Sequence, residues 1–168
     1  MSRRAPPEPV ETVRQRRDTA LRTLCASIPV IAFMGIDFDR RGDEVTGVMR
    51  YDAKLIGNPG LPALHGGATA TFLELTAQIE LCFQLLWDDV EAGRLDPVSL
   101  AGFRWPKTIG FTVDYLRPGL PRDAFARARV NRSGRRYASV HVETWQDHRD
   151  KLFAQATAHF RMPAAGEA

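Results

Sequence analysis

Cysteine is scarce in this chain, with only Cys25 and Cys82 among 168 residues. Two isolated cysteines make no disulfide framework, so we expect a reducing, cytoplasmic compartment. The four histidines stand at no zinc-type spacing, which argues against a metal site. The chain also has no glycine-rich phosphate loop and no Gly-x-Ser-x-Gly elbow, so nucleotide chemistry and a Ser–His–Asp hydrolase are disfavoured. We therefore expect neither a metal nor a cofactor.

Lysine is rare as well, and arginine supplies most of the basic charge within a net charge of +3. The arginines are scattered among acids rather than gathered on one face, so we expect no nucleic-acid binding. With 44% hydrophobic and 26% charged residues, the composition excludes a disordered or membrane-spanning protein. Residues 1–9 predict a disordered lead with no secretory signal after it, and residues 10–168 predict a single domain.

The centre of the chain is the segment 58–86, which turns at His65, Gly66 and Gly67. It then continues without proline or further glycine, which predicts a long helix. At about 100° per residue, one line of this helix is apolar; it is formed by Ala68, Phe72, Leu75, Ile79, Cys82 and Leu86. The flanks are mostly apolar too, so we expect the helix to be buried on more than one side.

Two features of this helix suggest chemistry. Glu74 faces a mostly apolar groove, which is a costly position for a carboxylate and therefore a candidate functional one; it also fits a flank position hydrogen-bonded to Gln78. Gly66 and Gly67 present bare backbone N–H groups at the helix start, where the helix dipole attracts negative charge and can hold a developing oxyanion. The glycine pair equally fits a tight turn that needs unusual backbone angles.

The spacing of these two features predicts an oligomer. Gly66 and Glu74 are about 12 Å apart along a helix that rises about 1.5 Å per residue. A carboxylate and an oxyanion donor must both come within about 3 Å of one reacting centre. One helix cannot supply both, but two antiparallel copies across a two-fold axis can. The motif therefore predicts a homodimer with two shared sites, and it leaves open whether dimers pair into tetramers.

The motif resembles that of a known family. Asn58, His65-Gly66-Gly67 and Glu74 are similar to the signature of hotdog-fold acyl-CoA thioesterases of the 4-hydroxybenzoyl-CoA and phenylacetate-pathway type. That family has His-Gly-Gly at the helix start and an acid nine positions after the histidine, as here. The run 112–118 resembles the strand that follows the family's central helix, and the resemblance extends over residues 35–162. One departure is that Asn58 lies seven residues before the histidine, where the family usually has Asn or Gln six residues before it.

The resemblance implies an α+β hotdog fold, in which an antiparallel sheet of about six strands wraps one long central helix. An N-terminal helix at residues 10–28 precedes it here. The alternating patterns predict a hairpin before the central helix and a four-strand meander after it. Residues 88–106 connect the helix to the meander, and we expect their glycines and prolines to break any regular element. A connection of this length fits a functional lid or a packed irregular loop.

The function that the resemblance implies is hydrolysis of an acyl-CoA thioester, with CoA as part of the substrate. Gly66 N–H would polarise the carbonyl, and Glu74 of the second subunit would attack it or activate water. The implied site also includes His65, which we expect to be structural, and Gly67, Asn58 and Gln78. The CoA phosphates would meet Arg117 and a turn that also fits a solvated hairpin tip; the turn comprises Arg132, Ser133, Gly134, Arg135 and Arg136.

Two alternatives remain open at this point. The first is a hotdog dehydratase or hydratase, which would need His65 as a base acting together with an acid. The second is a non-catalytic acyl-CoA-binding protein, in which Glu74 is only a flank residue. Neither alternative involves nucleic acid or a membrane.

Overall fold

The computed structural model describes residues 8–163, in which five α-helices, a single 3₁₀ turn at Ala53–Leu55 and eight strands follow one another. Most of the predicted lead, at residues 1–7, and the end of the chain, at 164–168, lie outside the described residues. In chain order the elements are α1 (Val10–Ala26), α2 (Pro29–Phe33), β1 (Ile36–Arg41), β2 (Glu44–Met49), β3 (Ile56–Asn58), β4 (Ala63–Leu64), α3 (Gly66–Leu85), α4 (Trp87–Glu91), α5 (Pro97–Ala101), β5 (Lys107–Tyr115), β6 (Ala124–Ser133), β7 (Tyr137–Trp145) and β8 (Ala154–Arg161).

Six of the strands form one antiparallel sheet in the order β1-β2-β6-β7-β8-β5, and β3 and β4 form a separate small hairpin. The predicted α+β hotdog architecture, with a long helix against a six-stranded sheet and a helix before it, is confirmed. The predicted four-strand meander is wrong in one respect, since β5 pairs with β8 and not with β6. Residues 116–123 carry the chain from one edge strand to β6, across the end of the sheet. This places β5 at a sheet edge, next to the amino end of α3.

The central helix α3 is buried on most sides, as predicted. The apolar line at Phe72, Leu75, Ile79, Cys82 and Leu86 is buried, and so is the opposite flank at Leu73, Ala77 and Leu81. One strip of exposed or half-buried residues runs the length of the helix, and we call it the open face of α3; it consists of Gly67, Thr71, Glu74, Gln78 and Leu85. The half-buried Glu80 and the exposed Gln84 lie outside this strip, at the margin of the covered part. The open face therefore contains both predicted catalytic side chains of the helix.

Small residues on the sheet allow α3 to lie close to it. The inward positions of β6, β7 and β8 include fully or nearly fully buried alanines at Ala124, Ala126, Ala138, Ala154, Ala156 and Ala158. On β2, a Cβ at Gly47 would come within 2.8 Å of Thr76 Oγ1 and 3.1 Å of the Phe72 ring. Close packing of this kind makes a core sensitive to added volume as well as to lost volume.

The N-terminal helix is held against the connection that follows α3. Arg17 makes a two-pronged ion pair with Glu91 at 2.7 and 3.1 Å, and its guanidinium lies 4.7 Å from the centre of the Trp87 ring. The predicted helix at 10–28 ends earlier, at Ala26, because Pro29 starts the separate helix α2.

The expectation that residues 88–106 contain no regular element is wrong. The short helices α4 and α5 lie in this range, and Asp96 caps α5 by accepting a hydrogen bond from Ser99 N–H at 2.7 Å. The buried side chains of Val90 and Leu100 pack into the core, so tertiary contacts stabilise helices that the local breakers alone would prevent. Within residues 8–163, no helix has both the length and the apolar character needed to cross a membrane.

The close approach at Gly47 gives a stability prediction. Gly47→Ala should lower the free energy of unfolding by about 1–3 kcal/mol, because the added methyl group would overlap Thr76 and Phe72. Gly102→Ala is the matched control, since a Cβ there meets nothing closer than 3.8 Å. Alanine allows the unfolded chain fewer backbone conformations than glycine, so this change should be neutral or slightly stabilising. Urea unfolding followed by circular dichroism measures both. Equal stability of the two variants would show that β2 has room to move away from α3.

Candidate active site at the amino end of the central helix

The small hairpin of β3 and β4 leads the chain into α3. Asn58 Oδ1 accepts hydrogen bonds from the N–H groups of Gly60 and Leu61 at 3.1 and 3.2 Å, which closes the turn between the two strands. Gly57 must be a glycine here, because a Cβ would lie 2.8 Å from the Cα of His65. The structure thus places Asn58 at an exposed turn, where its carbonyl oxygen is already engaged, and the hairpin presses against the start of the helix.

His65 is the N-cap of α3. Its Nδ1 accepts a hydrogen bond from Gly67 N–H at 2.9 Å, and its own N–H donates to Leu55 O at 2.7 Å. Just before it, Leu64 N–H donates to Gly119 O at 2.8 Å. Two other parts of the chain, at Leu55 and at Gly119, therefore hold this turn by backbone hydrogen bonds. The position of His65 agrees with the predicted structural role, since a cap satisfies a donor that the helix leaves unpaired.

The backbone N–H groups of Gly66 and Gly67 differ in their hydrogen bonding. Gly67 N–H is engaged by His65, whereas Gly66 N–H has no acceptor within residues 8–163. The Gly66 carbonyl accepts a hydrogen bond of 2.7 Å from the hydroxyl of Tyr115, which comes from the end of β5. An unpaired N–H at the positive end of a 20-residue helix suits a developing negative charge on a ligand.

The two carboxylates of α3 lie in different surroundings. Glu74 is half-buried on the open face, and within the described chain its side chain makes neither a hydrogen bond nor an ion pair; Gln78, also half-buried, makes none either. Glu80 accepts a hydrogen bond of 2.6 Å from Gln84, and burial raises the pKa of the Glu80 carboxyl. Because α3 is unbroken from Gly66 to Leu85, Gly66 and Glu74 are separated by about 12 Å along the axis.

The predicted phosphate-binding arginines lie at opposite ends of the sheet. Arg117 follows β5 at the end where Tyr115 meets Gly66. The turn 132–136 lies at the other end, since Tyr137 pairs with Arg161, which also pairs with Lys107 at the start of β5. All five residues of that turn and Arg117 are exposed. Within one chain, the two groups therefore cannot contact the same phosphate cluster.

Other chemistries find little support in the described chain. Burial raises the pKa of the Cys25 and Cys82 thiols to about 12, so neither supplies a thiolate nucleophile near neutral pH. Two cavities of about 680 and 690 Å³ flank α1, and neither is lined by a residue of 58–86. The predicted catalytic side chains thus lie on an open surface and not inside either cavity.

The comparisons with known proteins agree with this geometry. Residues 58–161 match the model of a family described as the acyl-CoA thioesterase N-terminal domain. The chain belongs to this acyl-CoA thioesterase family. The match begins at Asn58 and includes the His-Gly-Gly turn, α3 and the four strands after it. Membership supports thioester hydrolysis in general terms, while no curated protein matches the chain at a significant level.

Solved structures share the fold of this chain. A Chromobacterium violaceum protein is 29% identical, with a TM-score of 0.61, over 92% of this chain and 98% of its own. A Shewanella oneidensis protein related to the thioesterase superfamily is 23% identical, with a TM-score of 0.66, over 90% and 98%. The Escherichia coli PaaI protein from the phenylacetic acid degradation operon is 14% identical, with a TM-score of 0.67, over 89% and 95%. The chain therefore matches nearly the full length of each of these three neighbours.

Sequence reasoning missed two parts of this site. The hairpin of β3 and β4 was not expected, although Gly57 followed by Asn58-Pro59-Gly60 is a turn signal between two short extended segments. The contact between Tyr115 and Gly66 was also missed. No local signal could have revealed it, because 49 residues separate the two partners.

The cap at His65 gives a second stability prediction. His65→Ala should lower the free energy of unfolding by about 0.5–2 kcal/mol, since Gly67 N–H loses its acceptor. His65→Asn should lose clearly less, because an asparagine side chain can accept the same hydrogen bond. Chemical denaturation of both variants measures the difference. If both lose the same stability, the hydrogen bond from Gly67 contributes nothing and the imidazole acts only through its packing on Gly57.

Proposed function

We propose that the protein is an acyl-CoA thioesterase that works as a homodimer with two shared active sites. The observation that carries the proposal is the placement of Gly66 and Glu74 at about 12 Å from each other on one straight helix. Gly66 offers an unpaired N–H, and Glu74 offers a carboxylate without a partner on the open face. Neither group alone hydrolyses a thioester, and one chain cannot bring them together.

The proposed chemistry uses each group once. Gly66 N–H donates a hydrogen bond to the thioester carbonyl oxygen, which becomes negatively charged as the carbon is attacked. Glu74 of the partner subunit either removes a proton from water as it attacks or attacks the carbon itself. The carbon–sulfur bond then breaks and CoA leaves as a thiolate. In the first route this thiolate takes the proton that Glu74 removed from water, and in the second it takes a proton of the water that cleaves the acyl–Glu74 anhydride. In the second case, water hydrolyses the resulting anhydride, so both routes give a free acid and CoA. Gln78, one turn after Glu74, would orient the carboxylate or the water.

Three features of the fold support the dimer. The open face of α3 leaves a strip of the central helix that a second copy of this helix can cover, running antiparallel. The strand β5 is a nine-residue sheet edge beside it, and long edges are normally paired or covered. The bulged residue Ile109 on that edge is 60% exposed. With a two-fold axis near the middle of Gly66–Glu74, the partner subunit would cover all of these surfaces together. Two such dimers could then pair into a tetramer.

The same dimer would assemble the phosphate site. In antiparallel copies, the Tyr115 end of one sheet faces the Lys107 end of the other. Arg117 of one subunit then comes to the same side as the turn 132–136 of the second subunit. Planar guanidinium groups suit the phosphates of CoA, and we assign them to these residues of the two subunits.

The geometry of His65 separates this proposal from a hydratase. A hydratase needs His65 as a base, yet its Nδ1 already accepts the Gly67 hydrogen bond that caps the helix. Assaying hydration of crotonyl-CoA against release of free thiol distinguishes the two reactions. Tight binding of acyl-CoA without thiol release would instead indicate a non-catalytic binding protein.

The role of Glu74 can be tested by an isosteric change. Glu74→Gln should lower kcat for acyl-CoA hydrolysis by about 10² or more, because the amide can neither accept the proton nor attack. Glu80→Gln is the matched control on the same helix, and we expect it to keep wild-type turnover. Thiol release over short, long and aryl CoA esters is the assay. Unchanged turnover of Glu74→Gln would exclude that carboxylate from the mechanism.

The oxyanion donor can be removed without changing the helix. Gly66→Pro deletes the N–H at the first helical position, where proline is well tolerated. His65, with φ −62° and ψ 134°, already has the conformation that proline requires of the residue before it. Gly66→Ala adds the same Cβ, 3.3 Å from Tyr115 Oη, and keeps the N–H. We expect kcat of the proline variant to fall about 10²- to 10³-fold below that of the alanine variant; equal values would exclude Gly66 N–H as the donor.

The two inactive variants together test whether the sites are shared. When Glu74→Gln and Gly66→Pro chains are co-expressed, each mixed dimer should have one site with both native groups and one with neither. Random pairing makes half of the dimers mixed, so about a quarter of wild-type activity should return. If each site lay within one chain, every site would carry one defect and no activity would return.

A further inference from the structure

Tyr115 forms a hydrogen bond to the first residue of α3 even though its side chain is not held in place by burial. Its hydroxyl donates to Gly66 O at 2.7 Å, although the residue lies at the exposed end of β5 and 55% of its surface is accessible. A Cβ at Gly66 would stand 3.3 Å from that oxygen and 3.4 Å from the ring carbon that carries it. Glycine at this position therefore gives the phenol room to reach the first turn of α3.

The turn that Tyr115 reaches contains both glycines of the central helix. Gly66 and Gly67 are consecutive, and glycine has the widest backbone freedom of all residues. An oxyanion donor, in contrast, is effective only when its direction is fixed before the reaction. The two glycines are thus conformationally free, whereas an oxyanion donor at Gly66 needs a fixed backbone conformation.

Hydrogen bonds to the peptide groups on both sides of Gly66 restrict its backbone. The peptide before its Cα is held through His65 O, which accepts from Thr69 N–H at 3.0 Å. The peptide after its Cα is held at both ends, since Gly66 O accepts from Tyr115 and Gly67 N–H donates to His65 Nδ1. Of these contacts, the one from Tyr115 alone comes from the sheet.

We propose that Tyr115 is a positioning residue: by holding the Gly66 carbonyl, in the peptide group that follows the Gly66 Cα, it restricts rotation about the bonds of that Cα and so limits the directions that Gly66 N–H, in the preceding peptide group, can take. This inference rests on the proposed thioesterase function, because it assigns Gly66 N–H to the oxyanion. Tyr115 acts through the backbone and touches neither the acyl group nor the water. Since β5 is also the edge that we assign to the dimer, assembly holds Tyr115 in place and thereby completes the site.

The test is Tyr115→Phe, which removes the hydroxyl and keeps the ring. We expect kcat to fall about 3- to 10-fold, as for the loss of one neutral hydrogen bond, while KM changes by less than about 2-fold. In ¹⁵N-labelled protein, the amide signals of Gly66 and Gly67 should shift and their hydrogen exchange should become faster. A role limited to stability would lower the unfolding midpoint and leave kcat of the folded enzyme unchanged.

Tyr137→Phe is the matched control. It also removes a hydroxyl with one hydrogen bond, of 2.8 Å to His159 Nδ1, at the opposite end of the sheet. We expect it to leave kcat and both glycine signals as in the wild type. Wild-type kcat in Tyr115→Phe, or unchanged glycine signals, would overturn the inference. Failure of the wild-type protein to release thiol would instead overturn the proposed function, and the amide signals would still show whether Tyr115 holds Gly66.

Discussion

The hydrogen bonds that fix the start of α3 are the constraint on which the rest of the structure depends. Leu55, ahead of the small hairpin, and the segment 115–119, after β5, together hold residues 64–66 by hydrogen bonds of 2.7–2.8 Å. To bring them together, the chain must cross the end of the sheet after β5 and form the small hairpin before α3. Within residues 8–163 these bonds leave Gly66 N–H as a donor of the turn without an acceptor.

The burial pattern of α3 explains why one carboxylate is a better candidate than the other. The sheet and the other helices cover the helix on all faces except one. Glu80 lies at a margin of the covered part, where Gln84 is its hydrogen-bond partner. Glu74 lies on the open face without a partner in the described chain. A polar group in such a position is expected to find its partner in a ligand or in a second copy of the chain.

Two groups of arginines in the described chain differ in their surroundings. One group stabilises the fold through pairs with acids, as Arg17 does with Glu91, Arg40 with Asp18 and Arg127 with Glu44. The other group, at Arg117 and in the turn 132–136, is exposed at the two ends of the sheet. The amino-acid sequence alone does not show which arginines are paired with acids, because ion pairing depends on which strands and helices become neighbours in the fold.

Much of the fold could be predicted from the sequence. The period of the apolar residues identified α3, the alternation identified the six strands, and the His-Gly-Gly turn identified the start of the helix, because these signals are local. The order of the strands could not be predicted in the same way, and β5 was expected beside β6. The position of β5 depends on which edge strand it pairs with after the chain leaves α3. This pairing depends on the arrangement of the whole sheet and not on the sequence of β5 alone.

The sequence by itself determined which candidate residues the central helix carries and how far apart they lie along it, because helix geometry converts spacing into distance. Only the tertiary structure decided which N–H is unpaired, that Asn58 is engaged in its own turn, and that Tyr115 reaches Gly66. These facts depend on contacts between residues far apart in the chain. Such contacts are set by the packing of the sheet on the helix, and no local pattern encodes them.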